Sequence, residues 1–474
     1  MIKNNNKSKL PILILIIIVS SYFLINFTLG DSRFHNLKLL LDNEQRQLIK
    51  KYIFPYKVIS EQQQLITQQQ QTNSQQSKIL EYLKNLNLFE SDLNFKKTNK
   101  NIQIIKNSIK LSNNKSLEKY QLKEGFHSGI NNPFPGSGYI DFYDNNLFVL
   151  SSLGVLVYSK NINEENILKQ IQNNINEFIG LKQFEKSNKF SLKDLLIFND
   201  KVFISYTEEI KEDCWNTSII YGDINYENIK FKKLFSPKKC IHSSDNINKG
   251  FNPHQSGGRI ISFDNNHILL SMGEYSIKYL AQDKKSVNGK IIKINISTGE
   301  FEVISMGHRS PQGLFFDKEN NFILETEHGP LGGDEINLIE VEKINQDKIQ
   351  NYGWAISSAG EHYGGKNNEK NKIKYEKYPL YKSHSEYGFI EPLKSFVPSI
   401  GISEIVKIGK NNYVVSSLKD NSFYFFELNE QVEIVNLDRV EVFERDRDLR
   451  FKDNKLYLFM EDTASIGVIN LNEN

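Results

Sequence analysis

Four short segments of the chain concentrate residue types that carry out acid–base chemistry or bind charged ligands. Residues 252–259 read Asn-Pro-His-Gln-Ser-Gly-Gly-Arg, and the paired glycines allow a ligand to approach His254 closely. An imidazole on such a loop is a natural general base, because its pKa lies near neutral pH. An ordinary turn, in which His254 only caps backbone groups, is the alternative.

Two further segments combine glycines with charged residues. Residues 307–313, Gly-His-Arg-Ser-Pro-Gln-Gly, place Arg309 in a rigid turn suited to a polar or anionic ligand, and a plain Pro-Gly turn is the alternative. Residues 325–335, Glu-Thr-Glu-His-Gly-Pro-Leu-Gly-Gly-Asp-Glu, offer carboxylate and carbonyl oxygens to a hard cation such as Ca²⁺. They lack the Asp-x-Asp alternation of an EF-hand, and no histidine pair has zinc spacing.

The fourth segment alternates two charges, with Arg-Asp-Arg-Asp at residues 445–448. Residues two apart in a strand share a face, so Arg445 and Arg447 would point the same way. Two adjacent guanidinium groups repel each other unless an anion meets them. A solvated edge strand is the alternative.

A scaffold must bring these distant segments together. Two β-like runs flank a polar turn six times, at residues 140–150, 196–204, 261–269, 314–324, 405–415 and 449–458. Asn and Asp tolerate positive φ, so each repeat predicts a β-hairpin. Six hairpins at roughly 58 residues per repeat match the size of propeller blades. We therefore predict an all-β fold, a six-bladed β-propeller of four-stranded antiparallel blades. A pair of sandwiches is the alternative, and it leaves the single strong hairpin per repeat unexplained.

Composition limits the classes of partner and of metal site. The chain has 474 residues, of which 39% are hydrophobic and 24% charged, so it can bury a sizeable core and is not wholly disordered. Lys and Arg number 59 against 57 Asp and Glu, and no long basic block occurs, so nucleic acid is not an expected partner. Two cysteines exclude a disulfide-rich scaffold and a Cys-based zinc or iron–sulfur site, and leave room for one bridge.

The N-terminal residues predict the compartment. Three lysines precede residues 10–29, an uncharged apolar run about as long as a bilayer core is thick. We expect residues 1–30 to be an uncleaved single-pass transmembrane helix, and a cleaved signal sequence is the alternative. Both export the rest of the chain to an oxidising space, where a disulfide between Cys214 and Cys240 can form.

The region between the anchor and the hairpins has a different composition. Residues 36–93 are rich in Leu, Lys and Gln and contain no Gly, and the Gln-rich tract within them has no apolar face. We predict a helical, low-complexity stalk over residues 31–122 and the propeller over residues 123–474.

In their order along the chain, the motifs resemble the soluble glucose and aldose sugar dehydrogenases that use pyrroloquinoline quinone (PQQ), the glucose/sorbosone dehydrogenase-like proteins. The resemblance rests on residues 307–313, on Thr-Glu-His-Gly-Pro at 326–330, on Gly-Gly-Asp-Glu-Ile-Asn at 332–337 and on Asn-Tyr-Gly-Trp at 351–354. It implies a six-bladed propeller, in agreement with the hairpin count.

The resemblance also implies roles for particular residues. His254 would take the proton of a sugar hydroxyl while hydride moves from the sugar carbon to the quinone, and Glu274 would orient that imidazole. Arg309 would lie beside the quinone. The remaining cofactor-binding matches, whose charges would meet the carboxylates of PQQ, are Tyr363, Lys419, Arg445 and Arg447.

Two Ca²⁺ sites are implied as well. The carbonyls of Gly329 and Pro330 match ligands of a cofactor-bound Ca²⁺, and Glu335 and Tyr352 match a structural one. The chain departs from the family pattern in its longer His254 loop, in Ser310 where the family has Asn, and in lacking Gly-Gln-Gly-Gly in the first blade.

These observations predict a membrane-anchored, extracytoplasmic (periplasmic) dehydrogenase that uses PQQ and Ca²⁺ to oxidise an aldose and passes electrons to an external acceptor. Its activity would fall as His254 becomes protonated, at about pH 6 to 7. One alternative is a non-catalytic propeller that binds a glycan or protein partner. Another is a Ca²⁺-dependent lactonase, which rests on analogy of fold alone.

Overall fold

The computed structural model describes residues 90–127, 136–187, 189–244, 251–344, 346 and 348–472, together with isolated helical residues before residue 74. The unit that carries the site runs from Lys84 to Asn474. Its first element is a helix that covers residues 90–98. The predicted transmembrane helix and most of the predicted stalk lie outside the described residues. Within the described part of the chain, no helix combines the length and apolarity needed to cross a membrane.

Strands dominate the described residues. The first strands are β1 (Ile102–Lys110), β2 (Ser116–Leu122), β3 (Gly138–Tyr143), β4 (Asn146–Ser151), β5 (Leu156–Ser159), β6 (Ile167–Asn173), β7 (Leu192–Phe198), β8 (Lys201–Lys211), β9 (Cys214–Asp223), β10 (Asn228–Ile229), β11 (Lys232–Phe235) and β12 (Ile241–His242). They are followed by β13 (Gly257–Asp264), β14 (His267–Met272), β15 (Lys290–Asn295), β16 (Phe301–Met306), β17 (Pro311–Asp317), β18 (Phe322–Glu327), β19 (Asp334–Glu340), β20 (Gln350–Asn351) and β21 (Lys394–Phe396). The last strands are β22 (Ile402–Lys407), β23 (Asn412–Ser417), β24 (Ser422–Leu428), β25 (Ile434–Glu441), β26 (Asp446–Lys452), β27 (Lys455–Met460) and β28 (Ser465–Asn470).

The helices in this part of the chain are short. Besides the helix over residues 90–98, the α-helices are α1 (Leu181–Lys186) and α2 (Lys372–Lys377). The 3₁₀ turns are Ile175–Glu177, Pro253–Gln255, Lys278–Ala281, Val341–Lys343, Glu369–Asn371 and Ser385–Tyr387.

All six predicted hairpins form. They are the antiparallel pairs β3–β4, β7–β8, β13–β14, β17–β18, β22–β23 and β26–β27. Asn and Asp occupy the left-handed region at several of their turns, as at Asp144 (φ 52°), Asn199 (φ 48°) and Asn454 (φ 57°). The turn chemistry read from the sequence is therefore confirmed.

The first strands of these hairpins form a closed ring. Contacts run from β3 to β7, β13, β17, β22 and β26 in turn, and β26 contacts β3 again. The later strands of each group add to its sheet, as in the order β22-β23-β24-β25. Apolar side chains pack between neighbouring sheets, for example Phe203 of one sheet and Ile260 and Leu270 of the next. The fold is all-β and propeller-like.

The last sheet joins distant parts of the chain. Strand β2 pairs with β28, so the strand order is β26-β27-β28-β2. Strand β1 pairs with β2 and, through Ile102 and Gln103, with β6. The β region therefore begins at Ile102 rather than at the predicted residue 123. Most side chains of β1 are exposed, so its sequence lacks the apolar alternation that marks a half-buried strand.

The two cysteines are joined. A disulfide links Cys214, at the start of β9, to Cys240, next to β12. The disulfide that the sequence allowed is therefore present in the fold. Strand β12, next to Cys240, also pairs with β9.

Candidate active site

A cavity of about 270 Å³ lies where the ring strands begin. Residues at or near the start of all six ring strands line it, namely Tyr139, Lys193, Gly257, Pro311, Ser403 and Arg447. Loops add other lining residues, among them His254, His328, Lys419 and Arg445. We call this volume the cationic cavity, because its charged lining residues are basic. The structure thus brings together four predicted residues from three separate segments, namely His254, Lys419, Arg445 and Arg447.

The two arginines of the Arg-Asp-Arg-Asp segment share one carboxylate. Glu461 lies 3.1 Å from Arg445 Nε and 2.7 Å from Arg447 Nε. Both arginines line the cationic cavity, and Arg445 lies immediately before β26, which begins at Asp446. Guanidinium groups that line a cavity are suited to bind an anion.

His254 lies in the 3₁₀ turn Pro253–Gln255, and its backbone N–H donates to Asn252 Oδ1 at 3.0 Å. Burial, together with the charges of Lys189, Lys193 and Arg447, lowers the pKa of His254 to about 2. The imidazole is therefore neutral at neutral pH, which is the state a general base requires. The pKa of about 6 to 7 expected from the sequence does not apply to the ligand-free cavity.

The loop that contains Glu274 is bonded to the His254 loop through the backbone. Gly273 N–H donates to Ser256 O and Tyr275 N–H to Gln255 O, each at 2.9 Å. Burial raises the pKa of the Glu274 carboxyl to about 7. The positive charges of Lys278 and Arg309 act in the opposite direction and lower this pKa. The backbone pairing holds the predicted base and its predicted partner on adjacent loops, and the role of Glu274 in orienting His254 stays a prediction.

Arg309 lies beside a second, much smaller cavity. Its Nη1 donates to His328 O at 2.7 Å, and its guanidinium lies 5.4 Å from the centre of the Trp354 ring. This second cavity is also lined by His328, Gly329, Glu335 and Tyr352. Three of the four predicted metal ligands, Gly329, Glu335 and Tyr352, therefore line the same small cavity as Arg309. His328 lines both cavities.

The carbonyl ligands predicted at Gly329 and Pro330 lie on a tight loop. A Cβ at residue 329 would come within 1.9 Å of Gly333 O, so only glycine fits there. Pro330 O accepts a hydrogen bond from Ser399 Oγ at 3.4 Å. The backbone oxygens of this loop are the hard donors that Ca²⁺ prefers.

A histidine lies between the other two predicted metal ligands. His384 Nδ1–H donates to Tyr352 O at 2.9 Å, and His384 Nε2 lies 3.7 Å from Glu335 Oε1. His384 therefore contacts both predicted ligands of the structural Ca²⁺. The Ca²⁺ site at Glu335 and Tyr352 stays a prediction.

Tyr363 is not brought to the cationic cavity. Its side chain is 65% exposed, and its carbonyl accepts a hydrogen bond from Asn371 Nδ2 at 2.9 Å. The other predicted cofactor residues line one of the two cavities, whereas Tyr363 lines neither.

Several lining residues escaped the sequence reasoning. Lys193 is buried at the start of β7, and its Nζ donates to Lys189 O at 2.5 Å. Burial, with smaller contributions from Arg447 and Lys189, lowers the pKa of Lys193 to about 7. Tyr139 donates its hydroxyl to Leu192 O at 3.2 Å. Lys193 and Asp194 are the two charged residues of the otherwise apolar strand β7, and this was the available signal for Lys193.

An ion-pair network follows the cationic cavity along the ring strands. Arg259 lies 2.6 Å from Asp194, 2.6 Å from Glu404 and 2.8 Å from Asp448. Arg450 adds a contact of 2.8 Å to Asp448. These groups come from β7, β13, β22 and β26, so they tie the ring together beside the cavity.

The all-β ring with a basic cavity agrees with comparisons with known proteins. The profile of the glucose/sorbosone dehydrogenase family matches residues 180–468. The chain belongs to this family.

Two curated relatives match shorter stretches. The chain is 26% identical over 181 residues to the aldose sugar dehydrogenase YliI of Escherichia coli K12, covering 35% of this chain and 44% of YliI. It is 28% identical over 130 residues to quinoprotein glucose dehydrogenase B of Acinetobacter calcoaceticus, covering 21% and 26% of the two chains. The chain thus spans less than half the length of either relative.

Solved structures match over more of the chain. One match is the apo-form of the soluble aldose sugar dehydrogenase from Escherichia coli, with a TM-score of 0.55 and 20% sequence identity. The aligned region covers 70% of this chain and 95% of the Escherichia coli chain. The PQQ-bound form of aldose sugar dehydrogenase from Streptomyces coelicolor has a TM-score of 0.53 at 17% identity, covering 72% and 95%. At these identities the likeness establishes the fold.

Proposed function

We propose that the protein is a PQQ-dependent sugar dehydrogenase and that the cationic cavity binds the quinone. The observation that supports this most is the charge of the cavity, where Lys193, Lys419, Arg445 and Arg447 line one volume. Glu461 pairs with both arginines. A ligand with several carboxylates, such as PQQ, would bring negative charge to this basic lining, and guanidinium groups are well suited to bind it.

PQQ held by Lys193, Lys419, Arg445 and Arg447 would supply the acceptor for the hydride that leaves the sugar carbon. The proton of the reacting hydroxyl goes to an unprotonated ring nitrogen of His254. Backbone hydrogen bonds to residues 273–275 keep the His254 loop in place. A base held in position in this way contributes roughly 10²- to 10⁴-fold to the rate.

The protonation of His254 depends on what the cavity contains. Lys189, Lys193 and Arg447 lower its pKa in the ligand-free protein. A bound carboxylate would offset these charges and raise the pKa towards neutral pH. The imidazole would then be a stronger base when the cofactor is bound, because its pKa approaches the working pH.

We propose one Ca²⁺ site, at the carbonyls of Gly329 and Pro330, next to Arg309. Its support is the donor type and the tight loop that only glycine permits at residue 329. A cation there would act as a Lewis acid on the cofactor. The Ca²⁺ site predicted at Glu335 and Tyr352 is not part of this proposal, because His384 contacts both residues.

We further propose that the six hairpin groups are the six blades of a propeller. The closed ring of six strands supports this arrangement.

We also propose that residues 10–29 anchor the propeller to a membrane, on the extracytoplasmic side. The uncharged apolar run and the Cys214–Cys240 disulfide support this location. Carbonate extraction of membranes tests the anchor: the full chain should stay in the pellet, and a chain without residues 1–30 should be released. Release of the full chain would contradict anchoring.

The function is tested by titrating the Ca²⁺-loaded full chain with PQQ, followed by a panel of aldoses and an artificial electron acceptor. We expect uptake of PQQ and a loss of quinone absorbance that depends on sugar. A folded protein that takes up no PQQ would contradict the proposal and favour the non-catalytic propeller.

A further inference from the structure

A second group of buried titratable side chains has no part in the proposed reaction. His308 comes from residues 307–313, and Glu325 and Glu327 come from strand β18. The two glutamates are two residues apart, so they share one face of the strand. All three side chains are buried, and one possible ligand atom from each lies within 4.8 Å of the others. With the neighbouring Glu335, we call this group the acidic cluster.

The spacing of the three donors is that of ligands around one small ion. His308 Nδ1 lies 3.7 Å from Glu325 Oε2 and 3.5 Å from Glu327 Oε1. Donors bound tetrahedrally at about 2.1 Å are about 3.4 Å apart. Among the described residues, His308 Nδ1 and Glu325 Oε1 have no hydrogen-bond partner. An unpartnered, fully buried ring nitrogen therefore points at two carboxylates.

The cluster has excess negative charge. In the described part of the chain, no Lys or Arg side chain forms an ion pair with Glu325 or Glu335, whose only such contacts are to His308 and His384. Buried carboxylates without a counter-charge are costly. Burial and the charge of Glu327 accordingly raise the pKa of Glu325 and of Glu335. A cation among these groups would remove much of that cost.

Neighbouring polar groups fix the orientation of the three donors. Ser305 Oγ is 2.8 Å from His308 Nε2, which leaves Nδ1 facing the carboxylates. Asn337 Nδ2 donates to Glu325 Oε2 at 3.0 Å and to Glu327 Oε1 at 3.2 Å. Such outer contacts are typical of histidine and carboxylate ligands of metals.

We propose that His308, Glu325 and Glu327 bind one divalent transition-metal ion of the Zn²⁺ class. The imidazole decides against Ca²⁺, which takes six to eight oxygen ligands, whereas nitrogen donors suit Zn²⁺ and its neighbours. The ion would join β18 to the segment before β17. It is distinct from the Ca²⁺ proposed at the carbonyls of Gly329 and Pro330.

The test uses the full chain, stripped with a chelator and then supplied with Zn²⁺ alone. We expect one Zn²⁺ per chain and a higher thermal midpoint. Glu325→Gln should lose the ion, and Ser305→Ala should bind it roughly 10- to 100-fold more weakly. Glu335→Gln is the matched control, since it alters a buried carboxylate of the same cluster that contacts His384 instead, and it should keep the ion.

Three outcomes would overturn the proposal: no Zn²⁺ bound by the folded chain, binding of Ca²⁺ in place of Zn²⁺, or equal loss from Glu335→Gln and Glu325→Gln. If Glu325→Gln does not fold, X-ray absorption of the Zn²⁺-loaded native chain decides. It must show one imidazole with oxygen donors, and a shell without imidazole contradicts the site. None of these measurements uses PQQ or sugar, so they stand apart from the proposed enzyme activity.

Discussion

The cationic cavity and the acidic cluster are two buried polar regions of opposite charge within one ring of strands. In the first, burial and nearby cations lower the pKa of His254 to about 2 and that of Lys193 to about 7. In the second, burial and a neighbouring carboxylate raise the pKa of Glu325. Each region therefore disfavours its own charge, and each would be stabilised by an ion of the opposite sign. The comparison teaches that one fold can prepare an anion site and a cation site side by side.

The largest effect is expected at the proposed base. His254→Asn should lower kcat roughly 10²- to 10⁴-fold, because the hydroxyl proton loses its acceptor. His267→Asn is the matched control, since His267 contacts Asp264 at a hairpin turn away from the cavity. Turnover of PQQ-loaded protein measures both. Equal activity of His254→Asn and the native chain would remove His254 from the mechanism.

The next effect concerns the charge of the cationic cavity. Lys193→Met should weaken PQQ binding about 10- to 100-fold, the size expected for a lost hydrogen bond to a charged group. Lys201→Met, which only breaks a contact with Asp223 on the next strand, serves as the control. Titration by absorbance gives the affinities. Tighter binding by Lys193→Met would mean that its charge does not face the ligand.

A smaller effect is expected from pH. If an anion raises the pKa of His254, binding takes up a proton, and the affinity for PQQ should increase as pH falls from about 8 to 6. Each proton taken up changes the affinity by at most about tenfold per pH unit. Titrations at several pH values should give a steeper slope for the native chain than for His254→Asn, in which Lys193, with a pKa of about 7, still takes up a proton in this range. A PQQ affinity that increases with pH would contradict the proposed link between PQQ binding and protonation of His254.

The smallest effect is expected at Tyr363. Its side chain is largely exposed and lines neither cavity. Tyr363→Ala should therefore change PQQ affinity by no more than about twofold, as for ordinary surface substitutions. The same absorbance titration measures it. A loss as large as that of Lys193→Met would show that the loop folds over the cavity when ligand binds.

The part of the fold that depends on local signals could be predicted from the sequence. Asn and Asp at hairpin turns and alternating apolar residues identified all six hairpins. Strands β1 and β2 were missed, because β1 is mostly exposed and β2 pairs with β28 at the other end of the sheet order. Pairing between distant strands leaves no local pattern in either strand.

In the candidate site, too, residues with a local sequence signal were predicted and residues placed by distant contacts were not. His254, Arg445 and Arg447 lie in compact motifs, and the structure brings them to one cavity. Lys193 was missed because a Lys-Asp pair in an otherwise apolar strand matches no functional motif. His384 was missed because its contact with Glu335 and Tyr352 depends on the path of a long loop. Sequence motifs therefore identified several residues of the site. They did not identify the charged and polar neighbours that surround those residues in the fold.

The pairing of β2 with β28 also affects how the protein is made. Leu117 pairs with Ile469, so the last sheet cannot be completed until nearly the whole domain has left the ribosome. Until then β2 presents an open edge, which invites pairing with another chain. Biosynthesis of this protein should therefore depend on protection of the nascent chain, and loss of β28 should cause aggregation rather than a merely less stable domain.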